Sequence, residues 1–286
     1  MHTRPIRNAF VRTSKSPVAR TVFPSRHTSA VATDDPTAVS SNTTAAAITP
    51  ATRVLIVNSP NNPTGWTLSR AEQAEILAHC RSTGTWVLAD EVYERLYYET
   101  DTANGCAPSF LDVAEPDDRL VVVHSFSKSF LMTGWRLGWL VVPEELVTVI
   151  ERLAQNLFIC PSTISQQAAL ACFEPESLAV YEERRAQFKA RRDFVIPALN
   201  AMGMKVPVPP DGAFYAWADC SAACAKLGVK DSWDFAFEVM KRAHVAITPG
   251  RDFGDNNAHR YVRFTYTIDI AQLTDVVARL TTFLKR

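Results

Sequence analysis

The sequence has no long apolar run. Its longest stretches, such as Leu137 to Val142, fall far short of the ~18–20 residues that a membrane span requires. It has no Cys-x-x-Cys pair, and the cysteines at 80, 106, 160, 172, 220 and 224 are scattered. A chain of this size needs no disulfide staples, so they read as reduced thiols of a cytosolic-type protein. Charge of neither sign dominates, since Lys+Arg and Asp+Glu both number 30. That argues against a protein that holds nucleic acid by bulk charge. What is present is ordinary globular composition, 47% apolar over 286 residues. At ~150 residues per domain, that length suggests about two domains.

The zero net charge hides an asymmetry. Residues 1–33 carry Arg4, Arg7, Arg12, Lys15, Arg20 and Arg26 and no acid, and the first carboxylates are Asp34 and Asp35. Residues 1–44 are rich in Ser, Thr, Ala and Pro, with no helix or strand period. Such a segment buries too little to offset its ordering entropy and is predicted to be disordered. An acid-free, Ser-rich start fits an organellar presequence. The alternative is a non-native start left by a truncated or frameshifted reading frame. No signal-peptide apolar core is present, and the expected location is cytoplasmic, or organellar if the start is a genuine presequence.

From about Ala45, apolar runs alternate with helical patterns. Arg53 to Val57, Thr85 to Ala89, Leu120 to His124 and Leu137 to Val142 read as buried strands. Ser69 to Arg81 reads as a helix with a Ser69/Glu72 capping box and a Gly84 stop. Pro143 and Glu144 open a helix to about Leu157, and a long helix spans about Ser177 to Met202. This is an α/β pattern with a largely parallel or mixed sheet covered on both faces. The rhythm then changes. Phe214 to Ala218, Val245 to Thr248 and Tyr261 to Thr267 read as strands, with helices over Trp233 to Ala243 and from Ala271. We expect a smaller α+β unit there, with divisions at 45–185 and 186–286. Trp233, Phe235 and Phe237 are assigned to its core. His124 and His244, isolated among apolar neighbours, read as core or edge histidines. Cys220 and Cys224 lack the companions of a zinc site, so no metal is expected.

Ligands of open α/β sheets sit beyond the carboxyl ends of the strands. Three strands end there in unusual residues. The first is followed by Asn58-Ser59-Pro60-Asn61-Asn62-Pro63-Thr64-Gly65, the second by Asp90-Glu91-Val92-Tyr93, and the third by Ser125-Phe126-Ser127-Lys128 with Arg136 beyond. Singly these are a turn, a cap and a surface loop. Together they suit one chemistry. A Lys amine can form a Schiff base with an aldehyde cofactor, and pyridoxal 5'-phosphate also needs an acid beside its ring nitrogen. Asp90 can keep that nitrogen protonated. Asn62 and Tyr93 can donate to the phenolate oxygen. Ser125, Ser127 and Arg136 can bind the phosphate.

These residues resemble the class I/II aminotransferases, pyridoxal-phosphate enzymes of fold type I. The Asn-Pro-Thr-Gly signature is Asn62 to Gly65 and the Asp-x-x-Tyr signature is Asp90 to Tyr93. The Ser-x-Ser-Lys signature is Ser125, Ser127 and Lys128, with Arg136 eight residues on. Pro210-Asp211-Gly212-Ala213-Phe214-Tyr215 and Tyr261-Val262-Arg263-Phe264 also fit. The resemblance implies an aspartate-aminotransferase-like large domain with a mostly parallel sheet, here partial, and a smaller C-terminal domain. It implies Lys128 as the Schiff-base residue and base of the 1,3-proton shift, and Arg263 as the clamp for the substrate α-carboxylate. It also implies homodimers, acting on an L-amino acid and a 2-oxo acid.

The sequence departs from the family pattern before the Asn-Pro-Thr-Gly turn. In the family a long segment there supplies a helix N-terminus for the phosphate, a ring stacked on the cofactor and a tyrosine for the partner subunit. Only about Ala45 to Val57 is family-like here, so a truncated frame is the preferred account of the start, with dimerisation impaired. Two functions stand side by side: an aminotransferase working by ping-pong half-reactions, and a catalytically impaired remnant or cofactor-binding module. A decarboxylase, lyase or racemase is a third, and Arg263 leans toward transamination. No arginine lies between Arg152 and Arg184, which argues against strict aspartate or glutamate specificity.

Overall fold

The fold is described from a computed structural model over residues 48–49, 51–99 and 105–285. The segment expected to be disordered, 1–44, lies outside the described residues. Strands β1 (Val54–Asn58), β2 (Trp86–Asp90), β3 (Leu120–Ser125) and β4 (Gly138–Val141) form one sheet in that order. The first three run parallel and β4 is antiparallel, so the sheet is mixed and mostly parallel. Helix α1 (Arg70–Thr83) joins β1 to β2. Ser69 accepts from the Glu72 amide while Glu72 bonds back to the Ser69 amide, and Gly84 closes the helix in the left-handed conformation. All three were local signals.

Alternation along the strands divides the sheet into two unlike faces. Val57, Val87, Ala89, Leu120 and Val122 pack with Ile76, Leu77 and Cys80 of α1. The other face carries Val54 and Ile56, 48% and 54% exposed. In register beside them stand Trp86 and Leu88, then Val121. The expected cover on both faces is therefore incomplete among the described residues. Helix α2 (Glu144–Leu157) has no buried residue, and Leu157, Ile159 and Ile164 are about three-quarters exposed.

The C-terminal part contains α4 (Pro175–Ala201), β5 (Tyr215–Asp219), α5 (Ser221–Leu227), α6 (Ser232–Ala243), β6 (Thr248–Pro249), β7 (Tyr261–Thr265) and α7 (Ile270–Lys285). Its antiparallel sheet has the order β5-β7-β6. The position expected to divide the chain, 186, falls inside α4. One apolar cluster unites Val195, Leu199, Phe235, Val239, Leu273 and Leu280, and it also takes in Tyr93, Leu96 and Tyr98 from beyond β2. The backbone confirms this excursion: Tyr98 N–H donates to the Asp211 carbonyl and Ala213 N–H to that of Leu96.

Several expectations need correction. Val245 to Thr248 is no strand, since pairing is confined to Thr248–Pro249. A short helix, α3 (Thr163–Leu170), went unread because it buries only Ser165 and Ala169. Phe235 is fully buried, but Phe237 is 38% exposed and stands outside the core. His124 is not isolated among apolar groups: its Nδ1 lies 2.7 Å from the Glu94 carboxylate and its ring stacks on Trp139. His244 is exposed and takes the left-handed conformation that ends α6.

Candidate active site

The candidate residues gather at the carboxyl edge of the first sheet. Asn58 and Asp90 are register partners on β1 and β2, and Asp90 stands opposite Val123 of β3. Ser125 ends β3, paired with Gly138. Because β4 runs the other way, Arg136 returns to the same edge. Gly138 is required there, as a Cβ would lie 2.7 Å from the His124 carbonyl oxygen.

Asn58, which carried no role in the sequence reading, organises the first turn. Its amide donates to the Asp90 carbonyl at 2.9 Å, and its Oδ1 accepts from the Asn62 amide at 2.7 Å. Gly65 then meets the second sheet. Its carbonyl accepts from Asp211 and Gly212 N–H, and a Cβ there would sit 2.3 Å from that of Pro210. The Asn-Pro-Thr-Gly and Pro-Asp-Gly motifs are thus two sides of one contact. Across it, Arg263 Nη1 donates to Asn62 Oδ1 at 2.8 Å, joining residues 201 positions apart.

Asp90 is half-buried and accepts from the Val92 amide. Burial raises its carboxyl above the usual range, opposed by that hydrogen bond and by the nearby His124. Tyr93 is buried, its hydroxyl 2.9 Å from that of Tyr215. Burial first, and the Tyr215 bond second, push its phenol upward, while Arg263 opposes them. It therefore remains a neutral donor near pH 7.

The Ser125–Lys128 turn is held from two sides. Ser125 Oγ accepts from the Ser127 amide. Ser129 Oγ donates to the Val92 carbonyl and accepts from the Arg95 amide, both at 3.3 Å. That residue, also unread in the sequence, fastens the Lys128 turn to the Asp90–Tyr93 turn. Among the described residues, the Lys128 amine has no hydrogen bond or ion pair. Arg136 is exposed, left-handed at φ 53°, and donates to the Thr133 carbonyl. The structure thus joins Asn62 to Arg263 directly, and Arg263 to Tyr93 by way of Tyr215. Lys128, Ser125, Ser127 and Arg136 share the edge with them without touching them.

Arg263 is fixed tightly. Its guanidinium carbon lies 4.5 Å from the Tyr215 ring centre and 4.7 Å from that of Phe253, while its buried Nε has no hydrogen-bond partner among the described residues. An unpaired buried donor, an unpaired amine and a carboxylate with one weak bond suit an anionic ligand bearing a ring nitrogen and a carbonyl. A separate cavity of about 200 Å³, lined by Cys80, Arg81, Thr85 and Asp118, lies at the opposite end of the sheet and shares no residue with this site.

Residues 30–280 match the family model described as aminotransferase class I and II; the match starts ahead of the residue 45 inferred from sequence. The chain belongs to that family. It is 34% identical over 239 residues to a valine–pyruvate aminotransferase of Mycobacterium tuberculosis, covering 84% of this chain and 59% of the relative. An aromatic-amino-acid aminotransferase of Thermococcus litoralis is 35% identical, with 83% and 59% covered. The crystal structure of an M. tuberculosis aminotransferase superposes with a TM-score of 0.77 at 32% identity, over 86% of this chain and 60% of that one. The chain therefore spans about three-fifths of the length of these relatives. Among the described residues, no helix is long and apolar enough to cross a membrane.

Proposed function

We propose that this chain carries out, or derives from a protein that carries out, pyridoxal 5'-phosphate-dependent exchange of an amino group between an L-amino acid and a 2-oxo acid. The cofactor, when bound, supplies an aldehyde for an amine and an electron sink for the substrate. The observation that carries the reading is the Arg263–Asn62 contact. It brings Arg263, from the far end of the chain, to Asn62, which supports the reading of one as carboxylate clamp and the other as partner of the cofactor's phenolic oxygen.

In this reading residues 45–185 hold the cofactor and 186–286 supply the clamp. Asp90 keeps the ring nitrogen protonated, and Asn62 and Tyr93 donate to the phenolic oxygen. Ser125, Ser127 and Arg136 hold the phosphate. Lys128 supplies the covalent amine and moves the substrate proton. Arg263 orients the substrate through its α-carboxylate by a planar pair of N–H donors. The absence of arginine between Arg152 and Arg184 favours a donor range wider than dicarboxylic amino acids. The natural assembly in this reading is a homodimer.

The test is borohydride reduction of the purified chain with pyridoxal 5'-phosphate, followed by peptide mass spectrometry. Label on Lys128, absent from Lys128→Ala, supports the proposal; an unlabelled wild-type chain sinks it. The partly uncovered first sheet favours a second reading, a chain that holds the cofactor without turning it over. Bleaching of the visible band by an amino donor, with a 2-oxo acid restoring it, separates the two. A panel of donors with 2-oxoglutarate then tests substrate range, and turnover of aspartate alone would refute the wider one.

A further inference from the structure

Tyr215 lies on β5, only 5% exposed, and it touches two candidate residues at once. Its hydroxyl is 2.9 Å from that of Tyr93, with the rings edge to face at 5.8 Å. Its ring also faces the Arg263 guanidinium, which Phe253 covers as well. Asn62, Arg263, Tyr215 and Tyr93 therefore form one continuous run of contacts.

The proton count of this run has a consequence. A phenol has one proton to give. If Tyr93 donates to Tyr215, it has none left for a ligand oxygen. If Tyr215 donates instead, the Tyr93 oxygen is satisfied and its own proton is free to point into the site. Accepting a bond also polarises the Tyr93 O–H and makes it a better donor. The ring of Tyr215 has a separate task. A guanidinium held between two aromatic faces has little freedom to turn, so its N–H edge stays presented to an incoming carboxylate.

We propose that Tyr215 is a positioning residue for the transamination site: its hydroxyl donates to Tyr93 and directs the Tyr93 proton at the cofactor's phenolic oxygen, while its ring, with Phe253, aligns Arg263 for the substrate carboxylate. This rests on the function proposed above. The two tasks belong to different atoms of one side chain and can be separated.

The experiment uses the full chain reconstituted with pyridoxal 5'-phosphate. It reads the pH midpoint of the visible absorption band and the affinity for 3-phenylpropionate, a carboxylate with no amino group. Tyr215→Phe keeps the ring and loses the hydroxyl. The phenolic oxygen then retains more negative charge, which favours the protonated chromophore. The midpoint is expected to rise by about half to one pH unit, with carboxylate affinity within twofold of wild type. Tyr215→Leu loses both groups, so the midpoint rises as before and carboxylate affinity falls roughly tenfold. Phe253→Leu weakens carboxylate binding and leaves the midpoint in place, which secures the ring's half of the argument should Tyr215→Leu not fold. A wild-type band whose midpoint is unmoved in Tyr215→Phe overturns the hydroxyl's role. Unchanged carboxylate affinity in the leucine variants overturns the ring's role. A wild-type chain that forms no band overturns the proposed function and this inference with it.

Discussion

The two sheets are built to different standards of closure. The C-terminal sheet is sealed by a continuous cluster in which Val195, Leu199, Phe235, Val239 and Leu273 are inaccessible to solvent. Among the described residues, the first sheet is sealed on the α1 side only, with Val54 and Ile56 about half exposed on the other. Both contribute to the candidate site. The closed body supplies Arg263 and its aromatic walls, while the half-covered sheet supplies the turns bearing Asn62, Asp90 and Lys128. Local stability follows buried apolar contact rather than strand content. The proposed clamp, Arg263, therefore sits on the firmer of two supports.

Four measurements break or sharpen that contrast. The largest effect belongs to the closed core. Leu199→Ala or Phe235→Ala should lower unfolding free energy by about 3–4 kcal/mol in denaturant titration. Losses below about 1 kcal/mol would remove the claim that this body is tightly packed.

Next comes a pH effect confined to the first sheet. Glu91 is buried against Ser109, the Phe110 amide, His124 and Glu94, and burial pushes its carboxyl up to about 7. The folded state keeps its proton where the unfolded chain has lost it. Stability is therefore greatest below about pH 4.5 with respect to this group, and falls as pH rises to about 7. His124, raised by its bond to Glu94 and the nearby acids against the opposing effect of burial, contributes below its unfolded value and loses that contribution as pH rises. Both act in the same direction. Glu91→Gln should remove a loss on the order of 2–3 kcal/mol between pH 5 and 8. A wild-type stability curve flat over that range would contradict the assignment.

A smaller effect lies at the turn bearing Lys128. Ser129→Ala cuts both hydrogen bonds to the Asp90–Tyr93 turn and should cost about 1 kcal/mol. Faster hydrogen exchange at Arg95 should accompany it, and an unaltered exchange rate there would show that the turn is held by other contacts. The smallest change is expected on the open face. Ile56→Ser should alter stability by less than about 0.5 kcal/mol while reducing self-association, measured by sedimentation. A loss near that of Leu199→Ala would show that this face is covered after all.

Much of this arrangement was legible from residues close in sequence. The Ser69/Glu72 box and the Gly84 stop are set by atoms within one helical turn. The three strand ends with their turns likewise carry their own punctuation. What escaped was long-range. Tyr215 meets Tyr93 across 122 positions, and nothing local in a strand of alternating apolar residues marks that contact. Asn58 and Ser129 carry no role in the sequence reading because their partners lie on neighbouring strands and turns. The exposure of Phe237 was hidden for the opposite reason: two aromatics two residues apart on a helix cannot both face one core, and only Phe235 does.

The excursion of residues 93–98 makes Tyr93 a passenger of the opposite body. Leaving β2, the chain is hydrogen-bonded to Asp211 and Ala213 and buries Tyr98 completely. Tyr93 is thereby packed in the same apolar cluster as the strand that bears Arg263, while the Val92 amide still bonds to Asp90 and Ser129 bonds to the Val92 carbonyl. One short segment thus ties the two sheets together, and it starts at a buried phenol whose hydroxyl meets that of Tyr215.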